Sequence, residues 1–78
     1  MKIVNSRLRV LLAEKEMRER RTISLRKVTR EIPVPISTVE GLANNTLKEV
    51  PLHSLGILCV YLNCEVGDLL YLEEVKDQ

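Results

Sequence analysis

The chain has 78 residues, 45% of them hydrophobic and 29% charged, with 12 Lys+Arg against 11 Asp+Glu and a formal net charge of +1. That length leaves room for one domain, residues 1–78, and the even charge with a high apolar content excludes generic disorder. At roughly 0.05–0.15 kcal/mol per residue the total stability is about 4–12 kcal/mol, which leaves little for the strained geometry of a self-sufficient enzyme.

The longest uninterrupted apolar stretch, 57–62, is far short of the about 20 residues a bilayer span requires, so no membrane partner is expected. The first residues contain no apolar run followed by a small-residue cleavage site, which points to the cytoplasm. Cys59 and Cys64 are too few for a disulfide framework and are expected to be reduced.

Net charge near zero hides an asymmetry. Residues 1–31 hold ten Lys/Arg against four Glu, net +6, and the remainder holds two Lys against seven acids, net −5. One end of the molecule should face a polyanion and the other should be a solvated acidic surface.

In chain order, Asn5 or Ser6 can cap a first helix over about 6–19, in which Leu8, Leu11 and Leu12 follow i, i+3, i+4 spacing. Ser24 is a natural cap for a second helix over 25–31, with Val28 and Ile32 inward and Arg26, Lys27 and Arg30 outward. Pro33 disfavours helix at Ile32 and forces a tight turn. Pro35 suits the entrance of a third helix over about 36–43, whose inward stripe is Val39 and Leu42. Pro51 opens a fourth helix over about 52–62, with Leu52, Leu55, Leu58, Cys59 and Leu62 on one face, stopped at Asn63. A short fifth helix over about 66–71 contributes Val66, Leu69 and Leu70, and the tail 72–78 is expected to fray. This pattern predicts an all-α, five-helix domain with a core over about 6–71. The segments 2–4 and 71–75 are the places where short strands could instead form, paired with each other or across a dimer.

A basic helix, a tight turn and a second short helix with an inward stripe is the helix-turn-helix arrangement, in which the second helix lies in the major groove of DNA. Three stretches carry a closer resemblance. They are Arg7-Leu8-Arg9-Val10-Leu11-Leu12-Ala13-Glu14-Lys15, Ile36-Ser37-Thr38-Val39-Glu40-Gly41-Leu42-Ala43-Asn44-Asn45, and Leu62-Asn63-Cys64-Glu65-Val66-Gly67-Asp68-Leu69-Leu70. In this order and spacing the chain resembles the Cro/C1-type (Xre-like) helix-turn-helix regulators of bacteria and phages, across about residues 6–71.

The resemblance implies a Cro/C1 repressor-like DNA-binding domain that regulates transcription, with double-stranded DNA and a second copy of itself as partners. Ile36, Ser37, Glu40 and Gly41 stand where the family faces base edges, and Asn44 where it often touches phosphate. Val39 and Leu42 stand where the family packs this helix onto the core. Leu25 replaces a Gln that grips phosphate in many relatives, and Pro33 replaces the usual Gly of the turn. With no Arg, Lys or Gln in the third helix, readout should be modest. Ile36 would meet a thymine methyl, Ser37 either base type, and Glu40 a cytosine amine. Affinity would come from Arg18, Arg20, Arg21, Arg26, Lys27 and Arg30 on phosphates, and it should weaken steeply with salt.

His53 has no second ligand at metal-binding spacing, Cys59 and Cys64 do not form a CxxC pair, and Ser24, Ser37 and Ser54 have no base and acid partners for a triad. No metal, cofactor or catalytic step is therefore expected. The competing reading is an interaction module on the same fold, antitoxin-like, that holds a protein partner with its apolar and acidic C-terminal half.

Overall fold

The computed structural model describes residues 1–76 and measures 42 × 23 × 20 Å. The elements are β1 (Lys2–Ser6), α1 (Leu8–Glu19), α2 (Leu25–Glu31), α3 (Ile36–Ala43), α4 (Leu52–Leu62), α5 (Val66–Leu69) and β2 (Leu70–Glu74). All five expected helices form. The all-α expectation is corrected by β1 and β2, which pair antiparallel with Lys2 opposite Glu74, Val4 opposite Leu72 and Ser6 opposite Leu70. Residues 72–74 of the expected frayed tail lie in this ribbon, and 77–78 of that tail lie outside the described residues.

Local chemistry accounts for the helix ends. The N-cap of α1 is Arg7, with no side-chain cap bond, in place of the expected Asn5 or Ser6; the Ser6 hydroxyl, one residue earlier, accepts from the Leu8 N–H at 3.2 Å and donates to the Leu42 carbonyl at 2.6 Å, which ties the start of α1 to α3. α1 ends at Arg20, whose φ of 53° is left-handed. Ser24 caps α2 as expected, accepting from the Lys27 N–H at 3.1 Å. The helix stops at Ile32, which is held extended ahead of Pro33. Pro35 and Pro51 stand at the N-terminal caps of α3 and α4. Asn45 and Asn63 adopt left-handed φ values of 56° and 55°, which lets the chain reverse after each of these helices.

Leu8, Leu12, Ile23, Val28, Val34, Val39, Leu42, Leu55, Leu58, Leu62 and Leu69 join in one buried cluster. Of the residues assigned inward by spacing, Leu11, Ile32 and Leu70 are partly buried against this cluster and two are exposed. Leu52, in the first turn of α4, is 83% exposed, and Val66 is also exposed.

Gly41 lies on the buried side of α3, and a Cβ there would stand 2.9 Å from Leu47 Cβ. Its bare backbone lets the following loop fold over the helix, where the Thr46 and Leu47 N–H groups both donate to the Gly41 carbonyl. The base-facing assignment of Gly41 is thereby corrected: its side is covered by Leu47. Gly41→Ala gains helix propensity of about 1 kcal/mol but forces Leu47 and its loop outward, at about 1–3 kcal/mol. A net loss of stability is expected in thermal melts, relieved only in part when Leu47→Ala is added, because alanine keeps the Cβ that makes the nearest contact; equal melting of wild type and Gly41→Ala would contradict this packing.

A ring of polar contacts joins α1, the end of α2 and α4. Lys15 Nζ contacts Glu19 at 2.6 Å and lies over the Tyr61 ring at 4.3 Å. The Arg21 guanidinium donates to Glu19 at 2.7 Å and, in bidentate fashion, to Glu31 at 2.6 and 2.8 Å, and the Tyr61 hydroxyl donates to Glu31 at 2.6 Å. Hydrogen bonds from Arg21 and then Tyr61 hold the Glu31 carboxyl down at about 2, from an ordinary 4.5. Lys15 and Arg21 lower Glu19 in the same direction. A carboxylate depressed on folding stabilises above its unfolded pKa, and that contribution disappears as protons bind in the native state. This contribution is therefore expected to be lost between about pH 4.5 and about pH 2, and Glu31→Gln should flatten this part of the stability profile when thermal midpoints are followed by circular dichroism. An unchanged profile in the variant would contradict the assignment.

Candidate nucleic-acid interface

α2 and α3 pack on each other across the turn at Pro33, with α1 and β1 also against α3. Val39 and Leu42 fasten α3 inward, as expected, and Thr38 is buried beside them. The opposite side presents Ser37, Glu40 and Asn44, all exposed and spaced three and four apart on one face, with Ile36 half-buried at the helix start. Three of the four candidate base-facing residues thus reach solvent on α3, and Gly41 does not.

The C-terminal end of α3 is anchored by Arg9, which the sequence did not single out, together with Asn44, Asn45 and Ser6. Arg9 Nε donates to the Ala43 carbonyl at 3.0 Å, and its Nη2 donates to the Asn44 side-chain oxygen at 2.8 Å. A cation on the last carbonyls of a helix satisfies orphan acceptors and meets the negative end of the helix dipole. The Asn45 side chain accepts from the Ser6 N–H at 2.7 Å, fixing the same end to β1. The Asn44-Asn45 doublet was the available signal, since Asn is the side chain that most readily takes a left-handed helix exit. The arginine that meets it lies 35 residues away in the chain.

The candidate phosphate-binding residues divide into two groups. Arg26 and Arg30 are exposed and Lys27 half-buried on α2, beside α3, and none of the three has an ion pair among the described residues. Arg18, Arg20 and Arg21 are at the other end of α1 from Arg9, about 13 Å or more along the helix. There Arg18 donates to the Leu62 carbonyl at 3.4 Å, at the C-terminus of α4. Arg21 is held by Glu19 and Glu31, so its charge is largely neutralised and its assignment to phosphate is withdrawn. Arg20 is exposed.

The expected separation into a basic and an acidic end does not hold at the ribbon, where β2 with Glu73 and Glu74 pairs with β1, Lys2 stands opposite Glu74, Glu73 is bonded to Asn5 and Glu74 to the terminal amine. Cys59 and Cys64 are free thiols; burial, reinforced by Cys59, pushes Cys64 up to about 11, which keeps it protonated at neutral pH. No helix among the described residues is long and apolar enough to cross a membrane.

What the arrangement offers a ligand is a short helix with an exposed polar face, anchored at its C-terminal end and packed against a helix whose Arg26, Lys27 and Arg30 form no ion pair among the described residues. Comparison with protein families matches residues 7–74 to the Cro/C1-type HTH DNA-binding domain, which takes in every helix and the whole of β2. No curated protein and no solved structure gives a significant match. With the match running over most of its length, the chain belongs to the family of Cro/C1-type HTH DNA-binding domains.

Proposed function

We propose that the protein is a transcriptional regulator that docks α3 in the major groove of duplex DNA as a homodimer in the cytoplasm. Ser37 and Glu40 face base edges, Ile36 meets a thymine methyl at the helix entrance, and Arg26, Lys27, Arg30 and Asn44 meet phosphates. Arg18 and Arg20 supply at most an outlying positive field, because they lie toward the end of α1 away from α3. The observation that carries this reading is the juxtaposition on α2 and α3 of an exposed polar helix face with unpaired cations.

The chemistry on α3 limits what sequence can be read. A good bidentate contact discriminates by about 1–3 kcal/mol, and α3 supplies none from Arg, Asn or Gln before Asn44, whose oxygen already accepts from Arg9. Discrimination then rests on single contacts from Ser37 and Glu40, and most of the affinity is electrostatic. With three cations per protomer on phosphates, a dimer loses affinity with salt at a slope of about −5 in log K against log salt. Binding isotherms on random-sequence duplex at several salt concentrations test this, followed by selection of bound sequences. Half-sites about 34–36 Å apart are the expected spacing. Absence of binding at low salt would overturn the reading.

A further inference from the structure

α4 has no charged residue among its eleven positions, yet one of its faces is turned to water. Leu52 and Val60 are each 83% exposed, and Gly56 between them has open space where a Cβ would stand. Residues four apart on a helix lie one above the other, so these three form a single stripe. Ile32, His53, Ile57 and Tyr61 form its shoulders and line a shallow depression along it.

The stripe is its own complement. It reads large, small, large at equal spacing about Gly56, so a two-fold axis at that residue sets Leu52 of each copy against Val60 of the other. The missing Cβ permits close approach of the two backbones at the crossing. Because α4 is uncharged, laying it against itself brings no like charges together. The ribbon is a poorer place for self-association. The outer side of β1 has its Ser6 N–H already taken by Asn45, and pairing β2 with itself would bring Glu73 and Glu74 of two copies together.

We propose that α4 is the surface through which two copies of this chain associate, in an antiparallel crossing centred on Gly56. The size of the face sets the strength. A helix of this length is about 16 Å long and about 10–12 Å wide. Even with its shoulders it falls at or below the low end of specific interfaces, near 1,200 Å² in total. Association is therefore weak, micromolar or weaker, and it is completed when adjacent half-sites raise the effective concentration of the two copies. That use rests on the DNA-binding reading above, whereas the interface itself is testable without DNA.

Sedimentation equilibrium of the full chain, free of DNA, from about 5 µM to about 1 mM should show mass rising from 8.9 kDa toward twice that value. Val60→Glu should stay monomeric throughout, with its thermal midpoint at low concentration unchanged. Gly56→Ala should weaken association at least about tenfold while the dilute protein melts at the same or a higher temperature, since Ala favours the helix and its methyl obstructs only the crossing. A wild-type mass of 8.9 kDa at every concentration, or variants that associate as the wild type does, would overturn the proposal. A monomer that still binds duplex DNA would remove this interface and leave the DNA-binding reading standing. A dimer that ignores DNA would do the reverse.

Discussion

Reversing Arg26, Lys27 and Arg30 to Glu is expected to lower affinity for duplex DNA by about 10²–10³-fold at moderate salt and to flatten the salt dependence by about 2.7 in log–log slope per protomer. The three residues are on the exterior of α2, beside α3, and no carboxylate within ion-pairing distance competes for them among the described residues. On the proposed docking each would make a separate phosphate contact, and each reversal replaces attraction with repulsion. The same reversal at Arg20, at the opposite end of α1 from the α3 anchor, should change affinity by no more than about threefold, the size of a distant screened charge. Circular dichroism checks that both variants are folded. If Arg20 proves as damaging as the α2 cluster, the DNA runs over the far end of α1 and the proposed docking is wrong.

Leu58→Ala is the substitution expected to harm stability most. Leu58 is fully buried on α4 at the centre of the core cluster, so its truncation leaves a cavity that costs about 2–5 kcal/mol. Against a total of about 4–12 kcal/mol that is a large fraction. At about 4–8 °C per kcal/mol, the midpoint should fall by roughly 8–40 °C. Leu52→Ala, six residues earlier on the same helix, is the matched control. Its side chain is mostly in water, and at low protein concentration its melting should move by less than about 0.5 kcal/mol. Comparable losses for the two leucines would show that the burial assigned to α4 is incorrect.

The contrast between these leucines shows where sequence reading succeeds and where it stops. Spacing placed Leu55, Leu58, Cys59 and Leu62 inward on α4, and the structure buries them all. It also placed Leu52 inward, although Leu52 lies four residues before Gly56 and eight before Val60, on the stripe of α4 that faces water. The caps were legible because Ser24, Pro35 and Pro51 act on their immediate neighbours. The β1–β2 ribbon was noticed only as an alternative, since its register joins residues about 70 apart and its apolar residues Val4 and Leu72 are exposed. Without a buried face, a strand shows little of the alternation that announces it.

The same division holds for the interface. The solvent exposure of Ser37, Glu40, Arg26 and Arg30 follows from position on a helix face, which is local information. Gly41 and Arg21 were misassigned because contacts distant in the fold decide them: Leu47 folding over α3 in one case, Glu31 from α2 in the other. Arg9 passed unnoticed for a related reason, as one more exposed arginine in a basic helix whose partner is the end of another helix.

The most direct test of the central claim is a nuclear magnetic resonance titration of the isotope-labelled protein with a short duplex at low salt. Amide shifts concentrated at Ser37, Glu40, Asn44, Arg26, Lys27 and Arg30 are expected, diminishing together as salt is raised. Shifts confined to the β1–β2 ribbon, or spectra that do not respond to saturating duplex, would contradict docking through α3.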